Sequence, residues 1–102
     1  MARKTSVDRE SSEDIYLVQF GEAVRLERKS LGYSQESFAD HVKMDRSYMG
    51  GVERGQRNLS LTNIMRILEG LEMDPGGFFS KHIHLQRRRR KARAATDTDV
   101  AK

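Results

Sequence analysis

The chain of 102 residues has no cysteine, no tryptophan, a single proline and few aromatic residues. Without cysteine there is no disulfide and no thiolate-bound metal, which suits a reducing compartment. No apolar run reaches the length of a membrane span, and the opening MARKTSVDRESSED lacks the apolar stretch of a signal peptide. The expectation is a soluble protein of the cytoplasm. Strand-like alternation and internal repeats are missing too, so the fold class expected is all-α. No nucleophile–base constellation or phosphate loop is present, so an enzyme is not expected. His82 and His84 have no third ligand in reach, and His41 falls on a solvated face; neither a metal, a cofactor nor a small-molecule ligand is expected.

Charge of one sign is scarce where it would be most informative. The formal net charge is +4, but residues 81–102 hold eight basic side chains against Asp97 and Asp99, a net of +6. Residues 1–80 therefore carry −2. Any affinity for a polyanion has to come from where the cations sit, not from their sum.

Read for organisation, residues 1–13 are polar and aperiodic and are expected to be a disordered tail. A folded domain follows over 14–85, and 86–102 form a basic tail. The first helix is predicted from about Asp14 to Ser30, with Leu17, Phe20, Gly21, Val24 and Leu31 at helical spacing and Gly32 as its left-handed stop. Ser34 opens a second helix with Phe38, Ala39 and Val42 on its apolar side. Asp45 opens a third, with Met49 and Val52 inward. A loop over Gly55–Leu59 leads to Ser60, the cap of a fourth helix carrying Leu61, Ile64, Ile67, Leu68 and Leu71. Asp74-Pro75 opens a fifth through Phe78 and Phe79.

The third helix leaves Arg46, Ser47, Tyr48 and Gly50 pointing outward. An arginine, a hydroxyl, an aromatic ring and a bare backbone on one short helix suit entry into the major groove of DNA. There an arginine donates two parallel hydrogen bonds to guanine O6 and N7. Gly51 serves either such close approach or tight helix packing. The stretch YSQESFADHVKMDRSYMGGVERGQRNLSL resembles the lambda-repressor-like (Cro/C1, XRE-type) helix-turn-helix family. Ser34-Gln35-Glu36 with Ala39 open the motif and Glu53-Arg54-Gly55 close it. Asp45-Arg46-Ser47-Tyr48 and Arg57-Asn58-Leu59 are most similar to the controller proteins of restriction–modification systems. Two positions depart from the family: Lys43 stands in the turn where glycine is usual, and Leu59 where proline is common.

The resemblance implies a compact five-helix domain, bacterial or phage-encoded, that binds double-stranded DNA as a homodimer on a palindromic operator. It implies an internal bridge between Arg28 and Glu53 that locks the third helix. Arg28 falls on the inner side of the first helix, where an unpaired charge would be costly. Gln35 stands at the first turn of the second helix, where a phosphate can bind. Arg54, Arg57 and Asn58 would follow the DNA backbone or dip to base edges. Glu36 and Asp40, four apart on the second helix, are either solvated acids or, as the resemblance implies, a contact for RNA polymerase. Met73, Phe78, Phe79 and Ile83 remain as a second apolar group, one phenylalanine facing the core and the other a dimer interface. Dimerisation only on DNA is the alternative. The run Arg87–Arg93 is either a phosphate-binding arm or a solubilising tail. The leading function is a sequence-specific transcription regulator; the alternative is an antitoxin-like partner of another protein.

Overall fold

The computed structural model describes residues 2–86, with side chains from residue 15 onward. Five helices run in order: α1 Ala2–Ser30, α2 Gln35–His41, α3 Arg46–Glu53, α4 Leu61–Leu71 and α5 Pro75–His82. No strand occurs among the described residues. Their inward faces meet in one core of Phe20, Ala23, Val24, Phe38, Ala39, Val42, Met49, Val52, Ile67, Leu68, Leu71 and Phe78.

Each of α2 to α5 starts where a short polar side chain can take up a free amide of the first turn. The Ser34 hydroxyl accepts from Ser37 N at 3.0 Å while the Ser37 hydroxyl accepts from Ser34 N at 2.9 Å, a reciprocal pair that satisfies two donors. Asp45 accepts from Ser47 N and Tyr48 N, Ser60 from Asn63 N, and Asp74 from Gly77 N with Pro75 at the first helical position. These caps fix the helix starts locally, and the apolar spacing then decides which face turns inward.

Two close approaches set the angle of the helix pair. A Cβ on Gly21 would collide with the carbonyl oxygens of Val52 and Glu53, so only glycine lets the middle of α1 lie against the end of α3. In the turn between α2 and α3, Lys43 takes the left-handed conformation at φ 59°, the position where glycine is usual. Met44 N donates back to Ala39 O at 2.8 Å across that turn.

Several expectations are corrected. Helix α1 begins at Ala2, not near residue 14: residues 2–13 contain no glycine or proline to stop a helix continuing outward from its packed part. Leu31 is 46% exposed, because it follows the last helical residue and leaves the line of Val24 and Arg28. Leu61 at the start of α4 is exposed and Ile64 half-buried, so the apolar stripe narrows to Ile67, Leu68 and Leu71. Phe78, grouped with the candidate dimer patch, is fully buried; it meets Phe20 at 5.4 Å between ring centroids and belongs to the core. Phe79, Met73 and Ile83 stay half-buried at its margin.

Polar clasps join the ends of the domain. Glu27 on α1 meets His82 Nε2 at 2.7 Å and accepts from Lys81 Nζ at 3.0 Å. The His82 hydrogen bond, with that of Lys81 after it, holds the Glu27 carboxyl below its ordinary value of 4.5 against the opposing effect of burial. Past α5 the chain returns along α1. His84 N donates to the Gln19 side-chain oxygen at 2.8 Å, and Gln86 N to the Tyr16 hydroxyl at 3.0 Å. The arginine run 87–93 lies outside the described residues.

Candidate nucleic-acid interface

Helix α3 is short, and its position depends on one buried charge. Glu53, its last residue, receives Arg28 Nε at 2.7 Å and Nη2 at 2.9 Å, a two-pronged pair between side chains that are almost fully buried. Arg28 Nη1 donates further to Tyr33 O at 2.9 Å, which holds the connection between α1 and α2. Gln35 Nε2 donates to Glu53 Oε1 at 2.9 Å. One carboxylate thus joins α1, α2 and α3, and no buried side-chain nitrogen or oxygen among the described residues lacks a partner. The hydrogen bonds to Glu53 raise the Arg28 pKa above its ordinary value, while burial opposes that rise.

Outside this joint the predicted contact residues fall into two sets. Arg46, Ser47, Arg54, Arg57 and Asn58 are exposed. Arg54 Nε donates to Gln56 Oε1 at 3.1 Å. The Arg57 stem crosses Gly51, where a Cβ would meet its Cγ and Nε at 2.9 Å, and its guanidinium lies 5.4 Å from the centre of the Tyr48 ring. A cation stacked on an aromatic face is presented in a fixed place. Gly51 therefore makes room for a side chain of this same protein.

The other set is less free than its spacing suggests. Tyr48 is half-buried, packs at the edge of the core and accepts from Asn63 Nδ2 at 3.2 Å, which ties α3 to α4. Gly50 does not point outward to solvent: it is buried beneath the polar ends of Gln35 and Arg54, which a Cβ would approach to 3.3 and 3.2 Å. Arg54 stands one helical turn after Gly50 on the same face, whereas Gln35 comes from α2, 15 residues earlier, and no pattern within α3 reveals it. Gln35 is half-buried, its amide spent on Glu53.

Spacing also missed the surroundings of Arg46. Its Nη2 donates to Asp40 Oδ2 at 3.2 Å, and its Nη1 lies 3.6 Å from Glu36 Oε1. The two acids of α2 face the first residue of α3 across the turn. Hydrogen bonding to Asp40, then the charges of Asp40 and Glu36, raise the Arg46 pKa. Among the described residues no three histidines or acids gather to hold a metal ion, and no helix is long and apolar enough to cross a membrane.

This arrangement has known counterparts. A family profile described as helix-turn-helix matches residues 24–78, from the inner face of α1 to Phe78. The control protein C.MunI of Mycoplasma is 38% identical over 64 residues, 62% of this chain and 86% of that protein. The control protein C.BamHI of Bacillus amyloliquefaciens is 42% identical over 57 residues, 55% of this chain and 70% of that protein. Among solved structures, the restriction–modification controller protein C.AhdI from Aeromonas hydrophila superposes with a TM-score of 0.59. It is 49% identical, over 62% of this chain and 96% of that one. The controller protein C.Esp1396I, solved as a tetramer with its natural 35 base-pair operator, superposes with a TM-score of 0.61. It is 32% identical, over 65% of this chain and 87% of that one. The chain belongs to the XRE-type helix-turn-helix family, in which the proteins similar to it are restriction–modification controller proteins.

Proposed function

We propose that this chain is a sequence-specific, DNA-binding transcription regulator that binds a palindromic operator as a homodimer, with α3 in the major groove. The observation that carries the reading is the combination of a rigidly mounted α3 with exposed cations at both its ends. Arg46 stands at its start, and Arg54 and Arg57 at and beyond its end. The buried Arg28–Glu53 pair holds the helix still, and a reading helix must be held still for a base contact to discriminate. Arg46 then addresses a base edge, Ser47 a base or a phosphate, and Arg57 and Asn58 the backbone beyond. The operator complex of C.Esp1396I supports the same use of this fold.

The net −2 of residues 1–80 fits a regulator that relies on placed contacts more than on bulk attraction. Half-buried Phe79 and Ile83, which line a groove with Leu59 and Ile64, and half-buried Met73 at the edge of the core supply an apolar margin for a two-fold partner. The test uses the DNA immediately upstream of the chain's own gene, in a fluorescence-anisotropy titration against a scrambled duplex, and again ahead of a reporter. Tighter binding to the native sequence and a dose-dependent change in reporter output are expected. Equal affinity for both duplexes with unchanged reporter output would overturn the reading.

A further inference from the structure

We infer that Glu36 and Asp40 form a carboxylate fork that makes Arg46 selective for a neutral base edge over a phosphate; this rests on the groove-reading role proposed for Arg46. Arg46 is the first residue of α3, where the positive end of the helix makes a cation unfavourable. The two carboxylates offset that: Asp40 accepts from Nη2 at 3.2 Å and Glu36 stands 3.6 Å from Nη1. Glu36 and Asp40 are one helical turn apart on α2, so both reach the same guanidinium from one side. All three side chains are more than half exposed, so the group remains reachable from outside.

The consequence follows from charge and from donor count. One cation between two anions leaves a local net charge of −1, which repels a phosphate. A guanidinium has five N–H donors, and the fork takes at most two. The remaining donors include enough for the paired acceptors of guanine, which carry no net charge. The fork therefore removes the use of Arg46 as an unselective phosphate anchor and leaves its use as a base reader. It also fixes the side chain's direction, which lowers the entropy lost when the contact forms.

The test is the double substitution Glu36→Gln with Asp40→Asn, made both with Arg46 present and in an Arg46→Ala background. Each form is titrated against a selected operator and a scrambled duplex over a salt series. With Arg46 present, affinity for the scrambled duplex should rise at least about threefold at low salt, and its salt slope should steepen by about one, as for one gained phosphate contact. Base preference should relax at the position that Arg46→Ala also relaxes. In the Arg46→Ala background the double substitution should change base preference no further. An equal gain for every duplex in both backgrounds would overturn the fork, because it would be repulsion from the acids alone. Unchanged binding and preference with lost promoter stimulation would also overturn it and assign the acids to RNA polymerase. If the parent chain prefers no sequence at all, the groove-reading role itself fails, and that result is distinguishable from the others.

Discussion

At Glu53 three donors from two other helices converge on one buried carboxylate, and the position of α3 rests on them. Removing one charge of such a pair leaves the other desolvated and short of its partner. Glu53→Gln is expected to lower unfolding free energy by about 3 kcal/mol, measured by urea denaturation, and to weaken operator binding with it. A double-mutant cycle with Arg28→Met should give strong coupling; additive effects would show that the two residues act separately. The pairing of Arg28 was suggested by its place on the inner line of α1 and by family resemblance. The third member, Gln35, was not legible, because its side chain looks like any solvated polar group at a helix start until α2 is placed beside α3. On α1, the Glu27 carboxyl is held low mainly by its hydrogen bond to His82. A depressed carboxyl contributes stability above its unfolded value and loses it as pH falls through the folded one. Melting temperature should therefore drop on acidification below about 4.5, and Glu27→Gln should flatten that drop. A parallel acid profile in the variant would refute the clasp.

The starts of the elements were the most legible feature of the sequence. Ser34, Asp45, Ser60 and Asp74-Pro75 act on amides two or three residues away, so their effect is written locally. The faces of α2 and α3 were legible for the same reason, since Phe38, Ala39, Met49 and Val52 keep helical spacing within one helix. What escaped was the cover laid on an element from outside it: Gln35 over Gly50, Arg57 over Gly51, and the acids of α2 around Arg46. The start of α1 is not legible for a different reason: residues 2–13 are polar and without period, yet contain no glycine or proline to stop a helix. Gly21→Ala places a methyl group against the last carbonyls of α3, which no flexible side chain can relieve. The expected cost is about 2–3 kcal/mol of stability, with operator affinity falling further as α3 is pushed outward. An unchanged melt would mean that α1 and α3 do not approach as described.

For the molecule as a whole, the fold follows from a small core shared by α1 and the four capped helices packed on it, and the half-buried apolar margin beside that core is the proposed seat of a second copy. Phe78 fills the core, so the patch proposed for dimerisation reduces to Met73, Phe79 and Ile83, with Phe79 still stacked on Phe20 at 6.3 Å. Phe79→Asp should leave a folded chain that sediments as a monomer at micromolar concentration, where the parent sediments as a dimer. A dimer in both would place the interface elsewhere. In such a dimer the two α3 helices would lie about one turn of DNA apart, roughly 34 Å, and so require paired half-sites. Whether α3 reads sequence through Arg46 is decided by selection of binding sites from random duplex DNA. The parent chain should enrich a palindromic motif with half-sites about a helical turn apart. The Arg46→Ala variant should enrich the same motif with preference lost at one symmetric base pair, and bind it about 1–3 kcal/mol more weakly. No enriched motif for the parent, or an identical motif and affinity for the variant, would show that Arg46 reads no base from α3.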